Sequence, residues 1–345
     1  MKAPENHVGA SEKGWEFQRH LSEPFVYALE KAFHDEGWWR EVILDAKVIV
    51  ALRNDYLNVY FRGQSLFKVW CADKTGELLA STHPKYLLDP QLGGQITLKA
   101  GAGGKRNYDL GSLREPLLTS WHDGALERLK KAARYYSGLE KTGCHKAAAG
   151  RDDILDAEVT FRREAAAASE DEEAKKLPRI DLLRVVRAGD DCAALEFWEA
   201  KHFQNPELGS KGHRVKNGDS GDYDVEREVI AQIRDYRDIL ERNADAIVAS
   251  YSKACEQLVR IHAGTGRYGA DSIIGEVASG KRRLLIGPGG RPMVNLLVFG
   301  FDEAQKVASA GAFADLDRKV RAAGGGKLRK VGDAAQAFAR SGKPS

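Results

Sequence analysis

Leu177-Pro178-Arg179-Ile180-Asp181-Leu182-Leu183-Arg184-Val185-Val186, the turn Ala188-Gly189-Asp190-Asp191, and Ala193-Ala194-Leu195-Glu196-Phe197-Trp198-Glu199-Ala200-Lys201-His202-Phe203 form the stretch that decides the fold. Two β-prone runs around a Gly/Asp turn predict a hairpin. Side chains alternate faces along a strand, so Glu199 and Lys201 point the same way, with the Ala200 carbonyl between them. With Asp181 placed across from Glu199, two carboxylates and that carbonyl make a hard-oxygen set suited to Mg²⁺. Lys201 then stands where an ammonium can orient or help deprotonate an attacking water. Such a set suits metal-assisted phosphodiester hydrolysis, because the metal generates the nucleophile and neutralises phosphate charge. Among apolar neighbours and near a dication, Lys201 is expected to have a lowered pKa.

Asp181, seventeen intervening residues and Glu199-Ala200-Lys201 resemble the PD-(D/E)XK nuclease signature, with Pro178 three residues ahead of the aspartate. Downstream, the helical pattern from Val225 to Glu241 carries Gln232-Ile233-Arg234-Asp235-Tyr236. Gln232 and Tyr236 share one helical face, which is similar to the Q-x-x-x-Y element of the RecB-type branch. The resemblance covers residues 114–305. It implies an α/β, restriction-endonuclease-like core, a mixed central sheet flanked by helices. It also implies that Asp181 and Glu199 bind metal with the Ala200 carbonyl, that Lys201 is catalytic, and that Gln232 and Tyr236 position the site or the strand. The implied cofactor is Mg²⁺, with Mn²⁺ as a substitute. DNA is the expected substrate and RNA the alternative; a non-catalytic nucleic-acid-binding or assembly protein is the reading from another class. Members of the family pair to cut both strands, so a homodimer is compatible, and restriction or phage defence is the expected setting.

At 345 residues the chain is long enough for two domains and a sizeable core. Hydrophobic content of 43% with 30% charged residues describes a soluble globular protein, expected in the cytoplasm. No apolar run approaches the ~20 residues needed to cross a bilayer. Cys71, Cys144, Cys192 and Cys255 form no C-x-x-C pair, so neither zinc, disulfides nor the iron–sulfur cluster of some RecB-type nucleases is expected. A net charge of +3 gives no global polybasic signal, so local patches matter. The patches are Lys105-Arg106, Lys130-Lys131 with Arg134, Lys211 to Lys216, Lys281-Arg282-Arg283 and Lys327-Leu328-Arg329-Lys330. The polar segment from Gln204 to Asp224 reads as a mobile loop leaving the Glu199 strand. Within it Lys211, Arg214 and Lys216, with His213, are the candidates for closing over nucleic acid.

Residues 1–113 read as a separate α+β recognition or interaction module ending in a Gly-rich linker, suited to a protein partner or a substrate feature. A helix is expected over Pro24–Glu36, followed by strands over Lys47–Leu52, Leu57–Phe61 and Ser65–Trp70. Tyr60, Arg62, Trp70, His83 and Lys85 line either a binding face or the core. Arg114–Glu140 reads as the first helix of the nuclease core, where the resemblance makes Glu127 a candidate extra metal ligand. Ile154–Glu164 reads as its first strand, with Glu158 a candidate to face the site. Residues 306–345 read as a helical C-terminal tail.

Overall fold

The apolar runs on either side of Gly189 fold back on each other as the sequence demands. Gly189 takes φ +94, a left-handed value that glycine adopts at little cost, and the Ala188 N–H donates to the Cys192 carbonyl at 3.0 Å to close the turn. The second run is buried at its first ten positions. A strand enclosed on both faces has to carry its charged side chains inside, and this requirement shapes the site.

The computed structural model describes residues 15–72, 75–87, 98–100, 106–108, 121–163, 178–209, 213–216, 223–226 and 228–339. Helices α1 (Glu23–His34) and α2 (Trp38–Leu44) precede an antiparallel sheet of β1 (Ile49–Leu52), β2 (Leu57–Phe61), β3 (Gln64–Cys71) and β4 (Leu78–Ser81). Helices α3 (Ala125–Tyr135) and α4 (Leu139–Ala148) lead to β5 (Ile154–Thr160), β6 (Arg179–Arg187) and β7 (Cys192–His202). Next come α5 (Glu228–Arg242), α6 (Ala244–Ile261), α7 (Ile273–Ala278), β8 (Arg283–Leu285) and β9 (Val294–Phe299). The last elements are α8 (Glu303–Ala308), α9 (Ala310–Ala322) and β10 (Leu328–Val331). Short two-stranded ribbons pair Trp15–Glu16 with Arg162–Arg163, Leu98–Ala100 with Arg106–Tyr108, and His213–Lys216 with Tyr223–Glu226.

The fold is α/β, built on a mixed six-stranded sheet with path β10-β9-β7-β6-β5 and β8 also on β7. Strands β5, β6 and β7 run antiparallel, whereas β8 and β9 pair parallel to β7, one after the other along the same edge. Gly287 breaks that edge in two; a Cβ there would lie 2.0 Å from the Arg291 carbonyl oxygen. The C-terminal region contributes β10 to this sheet, parallel to β9. Phe338, beyond it, sets its ring 5.1 Å from Trp198.

The expected N-terminal helix and strands are present, together with α2 and β4, which the sequence reading did not include. This part is tied to the central sheet through buried charge. Asp156 on β5 accepts from Arg53 Nη1 at 2.8 Å, Arg19 Nε at 3.2 Å and the Tyr251 hydroxyl at 2.8 Å. Leu21 exchanges both backbone bonds with the Gln257 amide at 2.8 and 2.7 Å. One apolar core runs from Phe25 and Leu29 through Leu183 and Phe197 to Leu258.

The single helix expected over Arg114–Glu140 is two helices where it is described, because the chain turns between Tyr135 and Leu139. Its basic patch is also not all solvated. Lys130 is 1% exposed and gives its ammonium to Asp45 at 2.5 Å and to Glu127. The Lys281-Arg282 patch closes internally as well, with Arg282 and Arg187 clamping Glu276 at 2.6 and 3.0 Å.

Candidate active site

Strand register does the first part of the assembly. Leu182 lies opposite Trp198 on β7 and Ala157 on β5, while Ile180 lies opposite Val159. One step along, this ladder brings Glu158, Asp181 and Glu199 to one level of three neighbouring strands. Asp181 Oδ2 accepts the Ala200 N–H at 2.8 Å, fixing its carboxyl against the Glu199-Ala200-Lys201 run. The expected convergence of Asp181 with this run is therefore present. Ala200, expected to offer its carbonyl, is wholly buried and meets Asp181 through its N–H.

Glu199 and Lys201 do share a face, since Lys201 Nζ lies 2.8 Å from Glu199 Oε1. The same ammonium lies 2.5 Å from Glu207 Oε2, in the single turn Pro206–Leu208. Asn205 holds that turn by accepting the Glu207 N–H at 2.8 Å. The segment after β7 thus begins with a turn carrying an acid onto the lysine, and His213–Lys216 farther along it pairs with Tyr223–Glu226. Arg214 and Lys216 lie on that ribbon, where the structure describes the backbone only, and Lys211 lies outside the described residues.

Burial pushes Asp181 well above the usual carboxylate range, and the charges of Glu199 and Glu158 add to it. Burial also raises Glu199, to about 7, against the pull of Lys201 and with Glu140 and Glu207 adding to the rise. The expectation of a lowered lysine pKa is corrected. Burial does draw Lys201 downward, but the Glu199 charge and the bonds to Glu199 and Glu207 outweigh it, and the net direction is up. An ammonium held between two carboxylates stays charged, so it acts as a fixed cation rather than a proton acceptor near neutrality.

Tyr236 on α5 donates its hydroxyl to the Arg179 carbonyl at 2.8 Å, at the start of the Asp181 strand. Burial raises its pKa, and the charges of Glu199 and Asp181 add to the rise. Gln232, one turn earlier, leaves its Oε1 buried without a hydrogen-bond partner.

Two acids missed by the sequence reading stand close by. Glu140, in the first turn of α4, lines a small cavity with Asp181, Glu158 and Cys144. It accepts from the His202 N–H at 3.3 Å and the Asn205 amide at 2.5 Å. Glu127, named instead, is bound to Lys130 and is not among the residues around Asp181. The break at Gly138, which starts a new helix one residue before Leu139, was the available signal for Glu140; the Asn205-Pro206 turn pair was the signal for Glu207. Glu158 is at the site, but Arg179 Nη1 holds it at 2.8 Å.

No three His, Cys, Asp or Glu side chains converge as a ready-made metal cage among the described residues. The donor set is thinner, two carboxylates on adjacent strands, and Glu199 Oε2 is buried with no hydrogen-bond partner among the described residues. Mg²⁺ is suited to such a set, since it keeps several waters and takes one or two carboxylates plus substrate phosphate oxygens. When bound there, the ion would supply charge neutralisation at a phosphate and activation of a water. Compared with family models, curated proteins and solved structures, the chain matches none of them.

Proposed function

We infer that this chain is a Mg²⁺-dependent nuclease of the PD-(D/E)XK type, acting on DNA through a restriction-endonuclease-like core. One observation carries the reading. Asp181 and Glu199 sit side by side on antiparallel strands, both driven toward the protonated form by burial, Asp181 further by the Glu199 charge and Glu199 by the charges of Glu140 and Glu207, with Glu199 Oε2 left unpartnered among the described residues. A stability-driven sequence has little reason to enclose two like charges, whereas a dication at that point relieves both. In this reading Asp181 and Glu199 hold the ion and Lys201 offers a fixed positive charge to the phosphate or to the attacking water. Tyr236 sets the position of the Asp181 strand, and Gln232 lies one turn earlier on the same helix with its Oε1 unpartnered among the described residues.

The test is cleavage of single- and double-stranded DNA and RNA with Mg²⁺, with and without EDTA. Hydrolysis that disappears on chelation and in Asp181→Ala, and falls by about 10²-fold or more in Lys201→Ala, is the expected result. Equal cleavage by wild type and these variants rejects the assignment. The parallel RNA arm decides between the deoxyribonuclease and the ribonuclease of the same architecture.

A further inference from the structure

A larger cleft opens on the N-terminal sheet beside the site. It encloses about 530 Å³ and shares Tyr60, Gly63, Lys141 and Glu158 with the small cavity that holds Asp181. The shared wall is built by the turn between β2 and β3. Arg62 and Gly63 both take positive φ there, +50 and +66, and the turn rests on α4; a Cβ on Gly63 would meet the Lys141 stem at 2.6 Å. The two hollows therefore adjoin across this wall.

The cations on this wall fall into two groups. Arg19 and Arg53 are paired with Asp156, and Arg179 with Glu158. Lys68, Lys85 and Lys141 have no carboxylate within ion-pair distance among the described residues. Lys85 is nevertheless a built position. Its ammonium donates to Gln64 Oε1 at 3.1 Å, which also accepts the Tyr86 hydroxyl at 3.1 Å, and it lies 4.8 and 5.0 Å from the Tyr86 and Tyr136 ring centres. Gln64 in turn is anchored by its amide on the Tyr136 carbonyl at 3.1 Å. Burial, and then the nearby charge of Lys141, pull Lys85 below the ordinary lysine range. A half-buried ammonium held in place beside a second one is costly unless an anion completes it.

We propose that this cleft binds a single strand of nucleic acid, its phosphates on Lys85 and Lys141, and leads that strand to Asp181 and Glu199. The inference rests on the nuclease reading for its destination but not for its chemistry. Gln18, Asn58 and Tyr56 on the same wall offer amide and ring groups to bases. An unpaired strand presents base faces and Watson–Crick edges to such a wall, whereas a duplex keeps both inside its stack.

The experiment is fluorescence anisotropy of a labelled single-stranded oligonucleotide on the full chain, with EDTA present so that cleavage plays no part. Lys85→Gln and Lys141→Gln are each expected to weaken binding about tenfold. Each is also expected to lower the slope of log K against log salt by about 0.7. Lys85→Arg is expected to retain most of the affinity. Lys141 is exposed and outside the Gln64 network, so its variant reports even where Lys85→Gln disturbs the fold. Affinity and salt slope unchanged in both glutamine variants overturn the proposal, as does duplex or free AMP competing as well as the single strand. Weakened binding in these variants with no cleavage by wild type in Mg²⁺ rejects the nuclease reading and leaves the cleft standing. Cleavage by wild type with unaltered binding in the variants does the reverse.

Discussion

The Tyr236 hydroxyl bonds the Arg179 carbonyl at 2.8 Å, so helix α5 grips the Asp181 strand two residues ahead of its carboxylate. Under the proposed nuclease reading, this bond orients a metal ligand rather than touching the reacting atoms. Tyr236→Phe is expected to cost about 1 kcal/mol of stability, the net worth of one hydrogen bond. It is also expected to weaken Mg²⁺ binding by about 10- to 100-fold, as loss of an outer support does. Denaturant melts and Mg²⁺ titration of activity check the two effects separately. A stability loss with unchanged metal dependence would make Tyr236 purely structural.

Asp181 is held in a surrounding that favours its neutral form. Asp181→Asn is therefore expected to raise Tm in metal-free buffer while abolishing cleavage. Mg²⁺ at 100 times its Kd is expected to stabilise the wild type by about 2.7 kcal/mol and the variant not at all. Thermal melts with and without the ion decide; a wild-type Tm indifferent to Mg²⁺ and Mn²⁺ removes the metal site.

Glu199 has its pKa pushed up to about 7, so protons compete with a cation for it. Below that pH the carboxyl is protonated in the absence of metal. The apparent Mg²⁺ affinity is expected to fall as pH drops below neutrality, by up to about tenfold per pH unit for one displaced proton. Calorimetric titration at several pH values, with proton release measured from the buffer dependence, tests this.

Lys201 is charged and doubly paired. Lys201→Met leaves the buried Glu199 and the partly exposed Glu207 without their cation and is expected to destabilise by about 3 kcal/mol. Lys201→Arg preserves the charge and is expected to keep the fold while lowering the cleavage rate, because a planar guanidinium cannot replace a point charge between two acids. Urea melts and single-turnover rates on the same samples separate the two losses.

What the sequence made legible follows from the period of the side chains. The hairpin around Gly189, the shared face of Glu199 and Lys201, and the stripe Phe25–Leu29 all rest on alternation or helical spacing, and the structure has them. Partnerships across long distances left no such trace. Lys130 belongs to a basic run in the sequence and is buried on Asp45, 85 residues away. Asp156 lies unremarked inside a strand pattern and collects Arg19, Arg53 and Tyr251 from remote segments. Glu140 was hidden by reading one helix through Gly138, and Glu207 by reading the Asn205-Pro206 turn as loop. The Lys201 shift is directed upward first by Glu199, on the same strand face, and Glu207 adds to it from that turn.

His262 is 2% exposed, with its ring 4.9 Å from Tyr268, and burial followed by the Arg267 charge lowers its pKa to about 3. In the unfolded chain an ordinary histidine takes up its proton near pH 6.5. Between those values the unfolded state binds a proton that the folded state refuses, so this residue makes stability fall as pH falls. The loss is about 1.4 kcal/mol per pH unit across the window and is absent above it. Asp181 and Glu199 act with the opposite sign, being protonated in the folded protein where the unfolded chain is ionised. The measurement is therefore a difference: urea melts of wild type and His262→Gln from pH 7.5 down to 4.5, in which the shared carboxylates cancel. The gap between the two proteins is expected to shift in favour of the variant as the solution is acidified below about pH 6.5, and a pH-independent gap would show that His262 takes up its proton at the same pH inside the fold as in the unfolded chain.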